Sequence, residues 1–327
     1  MRIHIHVASL VISLGLSFVL SSGLLACSSA EEQPPVDAAP LTTVPDDPAG
    51  TFAVLTALDL APPPEAQRVI DALDRAAADP ARFLLERMVA TLPEGTTKTV
   101  AQAVIPFVAP YLDTKLDALA PKLVPGLRAI ASGFARVASH VELIERWSIE
   151  ANGHAIRAIG DVRFDVGPAP VVPLGALGVP DMTATFRMSL DETGLIAVPS
   201  HAIALRYGAL VRAGLATAVV PAASPGAHDV GQALAALVDC TALSVLVADK
   251  IGVGSPAIYR SACITAMTAV AGELDERVRA LDAMPLQLEL AGAATGVDVD
   301  HDGAMDTIRN GRWIGSVTAT FAGQRQP

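Results

Sequence analysis

Residues 134–158 read FARVASHVELIERWSIEANGHAIRA, and within them the spacing of the apolar residues changes from helical to extended. Steps of three or four residues, typical of one buried helix face, continue to about residue 146. The next segments, Ser148–Ala151 and His154–Ala158, flank Asn152-Gly153, a pair that favours a two-residue β-hairpin turn. We therefore expect helix before this point and antiparallel strands after it.

The longest apolar periodicity in the chain leads up to this change. Pro121 and Pro125 are expected to kink or divide the helical region, because proline lacks the backbone N–H. The stripe either packs into a core or lines a lipid-binding groove. Its members are Leu112, Leu116, Leu119, Leu123, Leu127, Ile130, Phe134, Val137, Val141 and Ile144.

Beyond the hairpin signal the pattern stays alternating, turns helical near His228 and alternates again near Leu286. This order predicts one α+β body over residues 64–327. We expect N-terminal helices, an antiparallel sheet, a disulfide-linked helical hairpin and a C-terminal β-hairpin that carries an acidic loop. The expected segments are helical 64–146, mainly β 147–226, a helical hairpin 228–283 and β 285–323.

Composition limits the classes of partner. The chain has 327 residues, of which 51% are apolar and 17% charged, and its formal net charge is −11. A protein of this composition folds around a sizeable core. The acidic balance, without a basic stripe, argues against a nucleic-acid partner and against charge-driven docking on an anionic membrane.

The first residues, MRIHIHVASLVISLGLSFVLSSGLLAC, have the pattern of a secretory signal, with Arg2 before an apolar run and then small residues. Leu24-Leu25-Ala26-Cys27 resembles the lipobox of bacterial lipoproteins, although Leu25 stands where smaller residues are commoner. The resemblance implies removal of residues 1–26 and acylation of Cys27 with chains such as palmitate, which anchor the protein to a membrane. Ser28 implies the outer membrane, on its periplasmic or its surface face. The alternative is an ordinary cleaved signal.

Residues 27–63 are expected to form the lipidated cysteine and a tether. The stretch 28–50 contains five prolines, five acidic residues and no basic residue. It cannot bury enough apolar surface to offset its ordering entropy, so we expect it to be extended. Phe52 to Leu60 is apolar enough to touch the body again.

Cys240 and Cys263 are expected to form a structural disulfide. A hairpin turn near Gly252 puts the two residues at similar distances from the turn, on facing helices. They are the two cysteines that remain once Cys27 is acylated, and secreted proteins favour disulfides. The alternative is two buried free thiols that pack as small apolar residues.

Residues 298–306 read DVDHDGAMD, with alternate carboxylates and a glycine that permits a sharp turn. Carboxylates this close repel each other, and Ca²⁺, which prefers several oxygen ligands, would neutralise them. The alternative is a solvated acidic turn that binds no ion.

This motif resembles two kinds of calcium loop. The EF-hand or dockerin loop ends on an acidic twelfth position, which is Arg309 here. The strand-flanked loop of integrin-type propeller blades needs only the first nine positions, and here the flanks are predicted strands. This resemblance implies a structural Ca²⁺ held by the side chains of Asp298, Asp300, Asp302 and Asp306 and by the backbone carbonyl of Ala304.

Catalytic motifs are missing from the sequence: there is no G-x-S-x-G, P-loop, G-x-G-x-x-G or H-E-x-x-H. We therefore expect a cell-envelope lipoprotein that acts as a binding or structural component, with an envelope protein or a lipid as its partner. One alternative is a carrier of lipid or another apolar ligand, suggested by the apolar stripe and a mean hydropathy of +0.45. Another is a surface hydrolase, for which His228 and Asp229 are adjacent candidates.

Overall fold

The computed structural model describes residues 43–167, 171–179, 182–283 and 286–327, all within one compact unit. Ten of its strands form one antiparallel sheet. The strands are β1 (Gly50–Asp59), β2 (His140–Ile149), β3 (His154–Arg163), β4 (Val171–Pro173), β5 (Met182–Arg187), β6 (Ser189–Leu190), β7 (Leu195–Leu205), β8 (Leu286–Val297), β9 (Thr307–Gly315) and β10 (Thr318–Arg325). Their order across the sheet is β4-β3-β2-β1-β10-β9-β8-β7-β6, and β5 also pairs with β3.

One face of this sheet is buried, because apolar residues alternate along its strands; in β1, for example, Phe52 and Val54 are at most 2% exposed. On that face the rings of Trp147 in β2, Trp313 in β9 and Phe321 in β10 have centroids 4.4 to 5.8 Å apart. β2 and β9 are separated by two other strands, so these contacts require a strongly curved sheet.

The described helices pack against the buried face of the sheet and against one another. Prolines stand at the first position of the first, second and last helices, where the missing N–H costs no helical hydrogen bond. The helices are α1 (Pro64–Ala78), α2 (Pro80–Ala90), α3 (Thr96–Leu119), α4 (Leu123–Ser139), α5 (Tyr207–Gly214), α6 (Val220–Ala223), α7 (Val230–Leu237), α8 (Cys240–Ile251) and α9 (Pro256–Ala280), with a π-helical segment, Leu215–Val219, joining α5 to α6.

Within the described ranges, no single helix combines the length and the apolar character that crossing a bilayer requires. The bent pair α7 and α8, with 61° between its two parts, meets these two criteria jointly.

Two apolar cores hold the elements together. One lies between the curved sheet and helices α1, α4 and α5 with the end of α9. The other lies among α2, α3, α4, α7, α8 and α9. The described side chains of the apolar stripe from Leu112 to Val141 are at most 3% exposed and belong to these cores. The stripe as far as Val141 is therefore core, whereas its last member, Ile144, is half-buried and belongs to neither core.

The predicted α+β class is confirmed, including the disulfide-linked hairpin. The Cys240–Cys263 bond joins the start of α8 to α9, with the Cα atoms 5.7 Å apart. Gly252 ends α8 with a φ of 75°, a left-handed conformation that glycine adopts without steric cost. Asn152-Gly153 lies in the turn between β2 and β3 as expected, but the turn spans the four residues 150–153 instead of two, and of the pair Gly153 alone has a positive φ, of 80°. The Asn152 side chain accepts a hydrogen bond from the His154 N–H.

The observed helices and strands differ from the expected segments at three places. Residues 50–59, inside the segment 27–63 expected to be a tether, form the central strand β1 between β2 and β10. β2 begins at His140, earlier than the expected change near residue 146. Residues 207–223, in the segment expected to be mainly β, are helical. In each case packing against distant parts of the chain decides between helix and strand.

Candidate functional site

The acidic loop connects β8 to β9, as the sequence predicted. Val297 pairs with Thr307 at the last rung of the two strands, and residues 298–306 lie between them. The loop turns through two left-handed residues, His301 with a φ of 68° and Gly303 with a φ of 86°. This hairpin geometry brings carboxylates from both sides of the loop together.

Three of the four predicted carboxylate ligands lie close together. One carboxylate oxygen from each of Asp298, Asp300 and Asp306 lies within 4.8 Å of the other two, so this cluster can hold a metal ion. Asp302 lies outside this group, and its carboxylate accepts the Ala304 N–H at 2.7 Å. Ala304 itself forms an isolated β-bridge with Asp47.

Asp298 is the buried member of the cluster, at 2% exposure. Its carboxylate accepts hydrogen bonds from the Thr43 hydroxyl at 2.9 Å, the His301 N–H at 2.7 Å and the Gly303 N–H at 3.0 Å. Burial acts to raise the pKa of Asp298, but these hydrogen bonds outweigh burial and lower it. The carboxylate is therefore ionised at neutral pH. In the described part of the chain, no lysine or arginine forms an ion pair with the loop carboxylates.

The same loop is bonded to the end of the expected tether. Thr43 and Asp298 exchange backbone hydrogen bonds of 3.3 and 3.2 Å. The Asp47 N–H donates to the Gly303 carbonyl at 3.0 Å, and the Met305 N–H donates to the Asp47 carbonyl at 2.9 Å. Residues 43–47 therefore form a short strap across the acidic loop, which the sequence reasoning did not predict.

A buried ion pair on the concave face of the sheet was also missed. The side chains of Glu145 and Arg157 are fully buried, and two Arg157 N–H groups donate to the two Glu145 carboxylate oxygens at 2.8 and 2.6 Å. Trp147 Nε1 donates to the same carboxylate at 2.7 Å. Arg157 Nη1 lies 3.0 Å from His201 Nε2, and its guanidinium covers the Trp313 ring at 4.8 Å. Burial lowers the pKa of His201.

The adjacent residues His228 and Asp229 precede α7. One oxygen of the Asp229 carboxylate accepts the Gln232 N–H at 2.8 Å, and the His228 N–H donates to the Gln232 side chain at 3.1 Å. These bonds cap the helix. The described geometry therefore gives Asp229 a structural partner, and no hydrogen bond joins its carboxylate to the His228 ring within the described residues.

A cavity of about 680 Å³ lies where α7 and α9 meet the helical region 207–223. This volume is in the range of small-molecule binding sites. Aliphatic and small residues make up most of its wall, with Arg212, Asp275 and Gln232 among the polar ones. Its walls come from three separate segments, so no local motif marks it in the sequence.

The signal, the lipobox and Cys27 lie outside the described residues. No protein-family model, no curated protein and no solved structure matches this chain.

Proposed function

We propose that this protein is a lipid-anchored component of the cell envelope whose acidic loop binds Ca²⁺ and fastens the tether to the body. Acyl chains on Cys27 would attach it to the outer membrane, as the lipobox resemblance implies. The body would act as a binding or structural component towards an envelope protein or a lipid.

The observation that carries the calcium proposal is the charge at the loop. Asp298 is buried and ionised, and it lies within 4.8 Å of the Asp300 and Asp306 carboxylates. A divalent cation would remove the repulsion between them, and hard carboxylate oxygens suit Ca²⁺. Asp302 and the Ala304 carbonyl would complete the ligand set implied by the calcium-loop resemblance.

Calcium would also act on the strap formed by residues 43–47. Thr43 bonds to the Asp298 carboxylate and to the backbone of the same residue, so a loop stiffened by calcium would hold the strap more firmly. Without calcium, repulsion between the carboxylates would loosen both. Calcium would thus set how closely the tether stays with the body.

Calcium titration of the purified chain, followed by calorimetry and by thermal unfolding, tests this proposal. We expect heat of binding and a calcium-dependent rise in Tm, both lost in Asp300→Asn. Asp74→Asn, which removes the same charge from an exposed position of α1, should keep both. Absence of heat together with a Tm indifferent to calcium would remove the calcium proposal.

The membrane anchor has its own test. Labelled palmitate should mark the protein in cells, and Cys27→Ala should release it from the membrane fraction. A Cys27→Ala chain that stays equally membrane-bound would contradict the lipid anchor and leave the calcium proposal standing.

A second function, carrier of a lipid or another apolar ligand, is favoured by the cavity between α7, α9 and residues 207–223. The apolar stripe no longer supports it, since the described part of that stripe as far as Val141 is core. The surface hydrolase stays a prediction. The carboxylate of its candidate residue Asp229 caps α7, and this contact does not support a catalytic role.

A further inference from the structure

We propose that the contact between His201 of β7 and Arg157 of β3 is an acid-sensitive switch. The neutral imidazole joins two distant parts of the sheet, and its protonation separates them. This inference depends neither on the calcium loop nor on the lipid anchor.

The contact lies where the two ends of the strand order come together. β3 is next to one end of this order and β7 is next to the other, yet Arg157 Nη1 lies 3.0 Å from His201 Nε2. The ring of Phe186, in β5 beside β3, has its centroid 4.9 Å from that of His201. Side chains therefore bridge strands that are far apart in the order of the sheet.

No backbone ladder joins β5 to β7 in the described structure. β6 pairs with β7 only at Ile196 and Ala197, and residues 201–205 of β7 pair with β8 alone. A cavity of about 360 Å³ lies between β5 and β7, with Met182 and Ile203 among its lining residues. Because this junction of β5 and β7 lacks a ladder, we expect it to open at a lower free energy than global unfolding requires.

The hydrogen bonds around His201 determine which form of the ring fits the contact. A guanidinium can only donate, so Nε2 must accept from Arg157 and carries no proton. Nδ1 lies 3.1 Å from the Pro199 carbonyl, which can only accept, so Nδ1 carries the proton. The neutral ring therefore satisfies both contacts, and the imidazolium, which donates from both nitrogens, does not.

Protonation also places a second positive charge beside Arg157. Nε and Nη2 of Arg157 donate to Glu145 of β2 at 2.8 and 2.6 Å, and the same carboxylate accepts from Trp147 Nε1. Glu145 is therefore already paired with Arg157. Two N–H groups would then face each other across the 3.0 Å between Arg157 and His201, so the protonated ring leaves the contact.

The remaining neighbours of His201 favour an outward movement of the charged ring. Phe186 of β5 and Trp313 of β9 present uncharged rings, with centroids 4.9 and 5.4 Å from that of His201. Glu289 of β8 is exposed and acts on His201 as a negative charge. His201 is itself partly exposed, so the imidazolium can turn away from Arg157 towards solvent and Glu289.

The same groups set the direction of the titration. Burial is the largest influence on the pKa of His201 and lowers it, and the Arg157 charge adds to this effect. The Pro199 carbonyl, Glu145 and Glu289 act to raise the pKa without reversing the shift. Opening of the junction returns the ring to an ordinary pKa of about 6.5, so acid favours the opened state. Between about pH 7.5 and about pH 5 the opened population should rise by up to about thirtyfold.

Solvent exchange of the Trp147 indole N–H, followed by NMR, tests the switch. This N–H is buried and donates to Glu145, so its exchange requires opening. The protein is the full chain carrying Cys27→Ala, which removes the expected acylation. We expect the exchange rate, corrected for the intrinsic effect of pH, to rise by up to about thirtyfold from about pH 7.5 to about pH 5. It should depend little on urea, whereas exchange of the β1 amides, which reports global unfolding, should depend on urea strongly.

One variant and one matched control locate the titrating group. In His201→Gln the side-chain oxygen can still accept from Arg157 but does not titrate, so acid should leave the Trp147 exchange unchanged. His154→Gln removes another histidine of the sheet, whose side chain is 45% exposed and lies beside Glu150, and it should retain the full acid response.

Three results would overturn the switch. They are an acid response below about twofold in the parent, an equal response in His201→Gln, and a Trp147 exchange rate with the same urea dependence as that of the β1 amides. The ¹⁵N spectrum of the His201 ring gives a test that needs no variant. A proton on Nε2 at about pH 7.5 would contradict the hydrogen bonds on which the switch depends.

Discussion

Replacing Glu145 by glutamine is expected to destabilise the protein by about 3–5 kcal/mol, because the Arg157 guanidinium then stays buried without a counter-charge. Both side chains are fully buried in the native state. Glutamine keeps the shape and one carbonyl oxygen, so Trp147 Nε1 retains an acceptor, and the loss reports the removed charge together with one hydrogen bond from Arg157. The exposed pair Glu65 and Arg68 gives the matched control, for which Glu65→Gln should cost at most about 1 kcal/mol.

The double variant Glu145→Gln with Arg157→Met distinguishes the interaction between the two charges from their interactions with other residues. Removal of both charges eliminates the unpaired cation, and methionine fills a similar volume under the Trp313 ring. We expect the double variant to be more stable than Glu145→Gln alone, with a coupling energy of about 2 kcal/mol or more.

Urea unfolding followed by tryptophan fluorescence measures these free energies. The chain has two tryptophans, and Trp147 and Trp313 both contact the pair, so the signal reports the region that is changed. A cost below about 1 kcal/mol for Glu145→Gln, equal to that of the exposed control, would refute the reasoning from burial.

Two further predictions concern stability. The double variant Cys240→Ala with Cys263→Ala should lower the free energy of unfolding by about 3 kcal/mol, since the bond closes a loop with a sequence separation of 23, and an unchanged urea midpoint would contradict this. Burial lowers the pKa of His201 below 6.5, so the unfolded state takes up the proton first as the pH falls. Stability should therefore fall from about pH 6.5 downward, less steeply in His201→Gln, and coincident pH profiles of the two proteins would show that His201 contributes nothing.

Local signals in the sequence were enough to predict most of the α+β fold class. Asn152-Gly153 marked a hairpin, and Gly252 with the two cysteines marked the helical hairpin, because each feature depends on residues close in sequence or on one simple geometry. Strand β1 was missed since its neighbours come from far along the chain: Phe52 pairs with both Trp147 and Arg325. An apolar run such as residues 207–223 has no period that distinguishes a buried helix from buried strands.

The candidate site was also predicted only in part from the sequence. Alternate aspartates between two predicted strands located the acidic loop, and three of the four predicted carboxylates do converge. The strap at Thr43 could not be foreseen, because it depends on backbone pairing across nearly the whole chain. Glu145 was foreseeable: the alternation through Leu143 and Trp147 places it on the buried face, where a charge requires a partner.

The pairing of β1 with β10 has a consequence for how the chain reaches its native state. β1 comes before every other described strand in the sequence, and β10 comes after all of them, yet the two are adjacent in the middle of the sheet. Until β10 has been synthesised, β1 has only one of its two neighbouring strands. The strands on the β1 side and those on the β9 side then remain two separate sheets, and β1 and β9 are edge strands without a partner on one side. The complete sheet can therefore form only once β10 has been synthesised.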